Sequence, residues 1–237
     1  MKTFFSFIFL LCLSFVSHAQ LSFAIINDKD GFVNIRKDKN AHSPVVGKIF
    51  DESIFGYDPD EKSNWVKIYK QDEDKLTDLE GYMDRSRIMP LATFKKIYKP
   101  KIYRDSCVIQ NNTLALIIKS SVFNPSLHKL DYEKPSCKNC ATFLNKIDNK
   151  RIWGTDGGLP RKFISSLRLI QNNVEVIIPK NAIDNLYEPN FSSLKVYLSA
   201  NNIYIQMDNS DGAGGYTVIW TIKNHQFLKR YIDNYYD

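Results

Sequence analysis

Apolar residues along this chain recur in short runs, often at every second position, and no run keeps a helical period long enough for a substantial helix. Residues 21–28 lead into the first β-rich segment. Phe32, Val33 and Ile35 then form one run, Val45 to Tyr57 holds two more, Trp65, Val66, Ile68 and Tyr69 form the next, and Gly81-Tyr82-Met83 re-enters a strand. Between them lie polar turns at Lys37–Ser43 (closed by Pro44), Asp58–Asn64 and the charged Gln71–Glu80. Arg87, Ile88 and Leu91 read as a closing turn. Several short strands with frequent turn signals predict a small, strongly bent β-barrel over residues 24–93.

The pattern after residue 93 differs. Residues 94–101 read as a linker. Beyond it, four pairs of apolar runs flank short Asn-containing segments: Asn111-Asn112, Asn172-Asn173, Asn201-Asn202 and Asn224-His225. Asparagine tolerates the left-handed backbone that tight hairpins need, so each pair predicts a β-hairpin. Residues 124–150 are turn-rich, and a short helix is expected at Asn181–Tyr187. The fold class is therefore mainly β: a small barrel, then an antiparallel sheet or sandwich over residues 102–237.

The N-terminus changes the cellular setting. Lys2, the apolar run Phe4–Val16 and the small residues flanking His18 have the pattern of a secretory signal peptide over residues 1–19. The run is shorter than the ~20 residues that span a bilayer, and nothing after it predicts a transmembrane span. The expected product is exported, periplasmic or secreted. Formal charge is +6, with the lysines spread along the chain. The densest group, Lys95, Lys96, Lys99 and Lys101, interleaves with Phe94, Tyr98 and Tyr103. In an exported protein it reads as a solvated linker or guarded edge strand rather than a nucleic-acid surface.

Candidate chemistry is sparse. Tyr57, Trp65, Tyr69 and Tyr82 are candidates for an aromatic groove, with burial in the barrel core as the alternative. Cys137 and Cys140 have the spacing of a local disulfide, half a zinc site or a redox dithiol. The turn-rich setting and the lack of a second pair favour the disulfide, and leave Cys107 over. The glycine-rich stretch Trp153–Gly158 and the loop Asp208–Gly215 are tight turns by composition. Together they offer one shared surface site of Trp153, Asp156, Asp211 and Tyr216. Asp208, Asn209 and Asp211 lack EF-hand spacing, so no metal is expected, and no cofactor either. No G-x-S-x-G, H-E-x-x-H or phosphate-loop motif occurs. A Cys107–His128 or Cys140–His128 pair is the remaining nucleophilic arrangement.

Gly31, Val33, Asn34, Ile35 and Arg36, then Pro44-Val45-Val46-Gly47, then Trp65, Val66 and Ile68, then Gly81-Tyr82, stand in the order and at the spacing of one known family. On these residues, 30–91 resembles the bacterial SH3-like (SH3b) domain, which implies a small barrel that binds rather than catalyses. The turn Lys37–Asn40 is charged where wall-peptide-binding relatives carry a small-residue turn. The C-terminal part is similar to uncharacterised regions of secreted Bacteroidetes-type proteins. The expected function is an exported, non-enzymatic binding protein whose barrel docks on a cell-wall or envelope component or on a protein partner. The alternatives are a hydrolase using Asp156 and Asp211 and a protein-interaction or inhibitor module.

Overall fold

The computed structural model describes residues 21–71, 78–97, 99–135, 137 and 140–234. The expected signal peptide and the middle of the Gln71–Glu80 loop lie outside them. The chain is all-β. Its strands are β1 (Ser22–Ile26), β2 (Phe32–Arg36), β3 (Val45–Phe50), β4 (Phe55–Tyr57), β5 (Trp65–Gln71), β6 (Asp78–Asp84), β7 (Ile88–Pro90), β8 (Lys95–Ile97), β9 (Lys101–Ile102), β10 (Ser106–Gln110), β11 (Leu114–Val122), β12 (Leu130–Tyr132), β13 (Leu144–Ile147), β14 (Lys150–Arg151), β15 (Lys162–Gln171), β16 (Val174–Val176), β17 (Lys195–Leu198), β18 (Asn202–Asn209), β19 (Tyr216–Lys223) and β20 (Gln226–Asp233). They form antiparallel sheets of order β3-β2-β6-β5-β4-β1-β7, β16-β15-β11-β10-β9, β12-β13-β14 and β20-β19-β18-β17-β8.

All seven strands of the first sheet send residues into one cluster, among them Ala24, Ile35, Ile49, Phe55, Val66, Met83 and Ile88. A single sheet can do this only by curling around its own core. Gly81 permits the tightest crossing. A Cβ there would lie 2.5 Å from Ile35 Cγ2 and 2.6 Å from the Arg36 carbonyl oxygen. Two expected boundaries shift. The sheet begins at Ser22, in the expected lead-in, and of the expected closing turn Arg87 and Leu91 lie in 3₁₀ turns while Ile88 between them opens a strand, β7, which pairs with β1 because Ile88 belongs to the core.

The β20-to-β8 sheet lies in the middle of the molecule. One face (Val196, Ile205, Met207, Val218, Trp220, Ile232) packs on the β16-to-β9 sheet through Leu116, Ile118, Ile164 and Leu169. Its other face (Tyr197, Tyr204, Ile219, Tyr231) packs on Phe23, Ile54 and Leu91 of the first sheet. Covered on both sides, β19 is buried at every position but its last. This double cover is why its Thr217 and Thr221 are buried, although alternation alone would place them at solvent. β1 has the same double role: Ala24 and Ile26 face the curled core, Phe23 and Ile25 the central sheet.

Of the two readings of residues 94–101, linker and guarded edge strand, the structure bears out the second for Lys95–Ile97 and replaces the linker there. Lys95–Ile97 is the edge strand of the central sheet and pairs with β17 at Val196–Leu198. Phe94 fixes it there by stacking on Tyr204, with centroids 5.6 Å apart. The expected helix at Asn181–Tyr187 is also replaced. Only Lys180–Ala182 makes a 3₁₀ turn. Asn185, at φ 58°, breaks the helical path, and Leu186 and Tyr187 bridge to Trp153 and Phe163. The hairpins at Asn172-Asn173 and Asn224-His225 have both turn residues left-handed, as an I′ turn requires. A further turn of this kind, Asp148-Asn149 between β13 and β14, lies in the segment read only as turn-rich.

The Ile219→Ala change should test the layer between the first and central sheets. Removing this fully buried side chain is expected to cost about 2–5 kcal/mol while leaving one urea transition. A cost below about 0.5 kcal/mol, the range of surface changes, would contradict the packing.

Candidate functional site

The four aromatics expected to form a groove divide between the two faces of the first sheet. Trp65, Lys67 and Tyr69 alternate with the buried Val66 and Ile68 on β5, so they point outward. Tyr82 lies opposite Lys67 and joins that outer face. Tyr57 lies opposite Ile68 instead, is buried in the core, and is not a groove residue. Burial raises the pKa of its hydroxyl.

Cations cover much of the outer aromatic surface. Lys39 Nζ sits 5.4 Å from the Tyr82 ring centroid and also pairs with Glu61. Lys67 Nζ is 4.8 Å from the Tyr69 centroid and Lys48 Nζ 4.3 Å from that of Phe32. The charged Lys37–Asn40 turn therefore lies over this face. Trp65 sits in a cleft of about 410 Å³ with Phe32, Asn34, Arg36, Asp84 and Arg87. The cleft arises where β2 and β6 part: the two strands pair at Arg36 and Tyr82 alone. Arg36 is held by donation from Nη1 to the Ser43 carbonyl at 2.9 Å. Asp84 accepts from Ser86 N at 2.9 Å, which fixes the rim. The buried Asn34 Oδ1 has no hydrogen-bond partner.

The two C-terminal loops do meet, but not as a surface site. Ser210 Oγ donates to the Gly154 carbonyl at 2.8 Å. A Cβ on Gly214 would lie 3.2 Å from Gly154 C. Trp153 and Tyr216, however, belong to the sandwich core, with ring centroids 6.4 Å apart. The Tyr216 hydroxyl donates to the Tyr187 carbonyl at 3.0 Å, and burial pushes its pKa well above the ordinary tyrosine value. Large aromatic side chains between glycines look like loop contacts in sequence; here they anchor the loops to the core. Only Asp156 and Asp211 are exposed.

The cysteine arrangements resolve as follows. Cys137 and Cys140 form a disulfide. Cys107 is fully buried among Leu116, Ile118 and their neighbours, and burial pushes its thiol up to about 12. Neither sulfur is a nucleophile for His128, which instead pairs with Asp148 Oδ2 at 2.7 Å and stacks on Phe123. That hydrogen bond lowers the Asp148 pKa. Among the described residues, no three His, Cys, Asp or Glu side chains gather as metal ligands, and no helix is long and apolar enough to cross a membrane.

One site escaped the sequence reading. At the open edge of the sandwich, β14, the 180–185 turn and β20 enclose a pocket of about 550 Å³ lined by Lys150, Arg151, Lys229 and Arg230, with Asp184 as its one acid among the described residues. Arg230 donates from Nη1 to the Asp184 carbonyl at 2.8 Å and from Nη2 to Asn185 Oδ1 at 3.0 Å. Asn185 Nδ2 in turn donates to the Arg151 carbonyl at 2.7 Å. Arg151 lies 4.0 Å over the Trp153 ring. Its residues are almost eighty positions apart in the chain, so no local motif announces it. The left-handed Asn185 is a signal visible only in the backbone.

Cys107 gives a direct check on the sandwich core. Its unfolded thiol ionises near 9.0, its folded thiol only near 12, so the unfolded state loses its proton first. This contribution to stability is present in full below pH 9 and is lost as pH rises toward 12. Native protein incubated with iodoacetamide at pH 8 should show Cys107 unmodified by mass spectrometry, and urea-unfolded protein should show it alkylated. Equal labelling in both would contradict its burial. No protein-family model, curated protein or solved structure matches this chain.

Proposed function

We propose that this is an exported, non-enzymatic binding protein of the bacterial SH3-like kind, whose N-terminal sheet docks on a cell-envelope component. The observation that carries the reading is the Trp65 cleft. A half-exposed indole stands there beside an amide, two guanidinium groups and the two carboxylates of Asp30 and Asp84, in a cleft lined by residues of the first sheet and its turns. An indole face accepts a sugar ring or an apolar side chain at low entropic cost. Arg36, and Arg87 alongside its pairing with Asp28, suit a ligand carboxylate, and Asn34 and Asp84 suit amide or hydroxyl groups. Wall glycans and their peptides carry all of these groups.

The surroundings favour binding over chemistry. Among the described residues the cysteines are buried or bonded, and Asp156 and Asp211 stand in exposed turns. Val45, Val46 and Phe50 are exposed beside the cleft and widen the contact surface.

Trp65 also supplies the assay. Of the three tryptophans, Trp153 and Trp220 are buried at 3% and 0% exposure, so an added quencher reads Trp65. The purified full chain should co-sediment with purified peptidoglycan, and the peptidoglycan should shield Trp65 from acrylamide. Trp65→Ala should keep the β-sheet circular dichroism spectrum and lose about tenfold or more in binding, as an aromatic anchor does. Absence of wild-type retention, or undiminished retention of Trp65→Ala, would overturn the reading.

A further inference from the structure

We propose that the pocket at the sandwich edge is a second, independent binding site, built for a small molecule that carries a phosphoryl group on a ring-bearing body. The first argument is charge. Three cationic side chains, Lys150, Arg151 and Arg230, line the pocket against one carboxylate among the described residues, and that carboxylate, Asp184, is engaged with Lys150 at 2.5 Å; Lys229, opposite Thr221 on β19, turns to the other face of β20 with Tyr231. A concave wall of one sign focuses the field and concentrates counter-ions of opposite sign. A doubly charged phosphoryl group answers this excess better than a single carboxylate.

The second argument is preorganisation. Solvated surface cations are usually mobile, but here Lys150 pairs with Asp184, the Arg230 guanidinium is bonded to the 180–185 turn and the Arg151 guanidinium lies over the Trp153 ring. The hydrogen bonds from Arg230 to Asn185, and from Asn185 to the Arg151 carbonyl, tie two guanidinium-bearing residues together through one left-handed asparagine. The turn that carries Asn185 is itself pinned to the core, because Trp220 Nε1 donates to the Ala182 carbonyl at 2.6 Å. Guanidinium groups held in place lose little entropy on binding, and their planar fork matches phosphoryl oxygens.

The third argument is the remaining wall. Phe227 and the rim residue Leu228 offer apolar surface opposite the cations. The volume of about 550 Å³ is far more than one phosphate needs and lies in the range of small-molecule sites.

The test is isothermal titration of the purified full chain with phenyl phosphate, inorganic phosphate and benzoate. Phenyl phosphate should bind, with inorganic phosphate and benzoate each about tenfold weaker or more, a difference of about 1.4 kcal/mol. Affinity should fall between 50 and 200 mM salt. Arg151→Gln should weaken phenyl phosphate about tenfold or more at an unchanged melting temperature. Arg151→Lys, which keeps the charge without the planar fork, should fall between wild type and Gln. If Arg151→Gln does not fold, Lys150→Gln, on an exposed residue, carries the same comparison. Absence of binding up to 10 mM phenyl phosphate (a limit chosen on the order of millimolar affinity), or equal binding in folded variants, would overturn the site. Benzoate as tight as phenyl phosphate would overturn the phosphoryl assignment, and inorganic phosphate as tight would overturn the ring-bearing body.

Discussion

The structure depends on one constraint: the central β20-to-β8 sheet has no solvent face over most of its width. A sheet normally buries one face. Here the second face is covered by the curled N-terminal sheet through Phe23, Ile54 and Leu91, against Tyr197, Tyr204, Ile219 and Tyr231. Exposure of that layer would leave four large side chains in water, at about 1.5–3 kcal/mol each. The two parts of the chain are thus held by the hydrophobic effect rather than by a tether. Polar contacts finish the junction. The Gln71 N–H donates to the Tyr231 hydroxyl at 3.4 Å, Asn234 N donates to Gln71 Oε1 at 3.1 Å, and Lys223 pairs with Glu52.

The same constraint decides where chemistry can sit. The middle of the molecule is mostly apolar, with Gln206, Asn209, Thr217, Thr221 and Asp233 as buried polar side chains of the central sheet, and the two clefts open at its margins. One margin is the outer face of the curled sheet, where β2 and β6 part around Trp65. The other is the open edge of the sandwich, where β20 meets the 180–185 turn. The two margins differ in character. The Trp65 cleft mixes both signs of charge with an aromatic face, and the edge pocket is cationic. The two clefts share no lining residue.

Much of the fold was legible in the sequence because it is written locally. Period-two alternation marks Phe32–Arg36 and Trp65–Gln71, and the left-handed tolerance of asparagine marks the turns at Asn172-Asn173 and Asn224-His225. What local pattern hides is which face meets which. Lys95–Ile97 resembles a linker until Phe94 is seen on Tyr204. Trp153 and Tyr216 resemble loop aromatics until both appear in the sandwich core. Tyr57 resembles Tyr69 and Tyr82 until its register with Ile68 places it inside. The cationic pocket is the extreme case. Arg151 and Arg230 become neighbours only through Asn185, and nothing in either local sequence specifies that meeting.

Native-state hydrogen exchange of the full chain tests the central claim most directly. β1 and β19 lie on opposite sides of the shared layer and are each flanked by two strands. Their amides should exchange only through global unfolding and report the same opening free energy under increasing denaturant. If β1 opened at a much lower free energy while β19 stayed protected, the N-terminal sheet would be a separate unit and the double cover would not hold the molecule together.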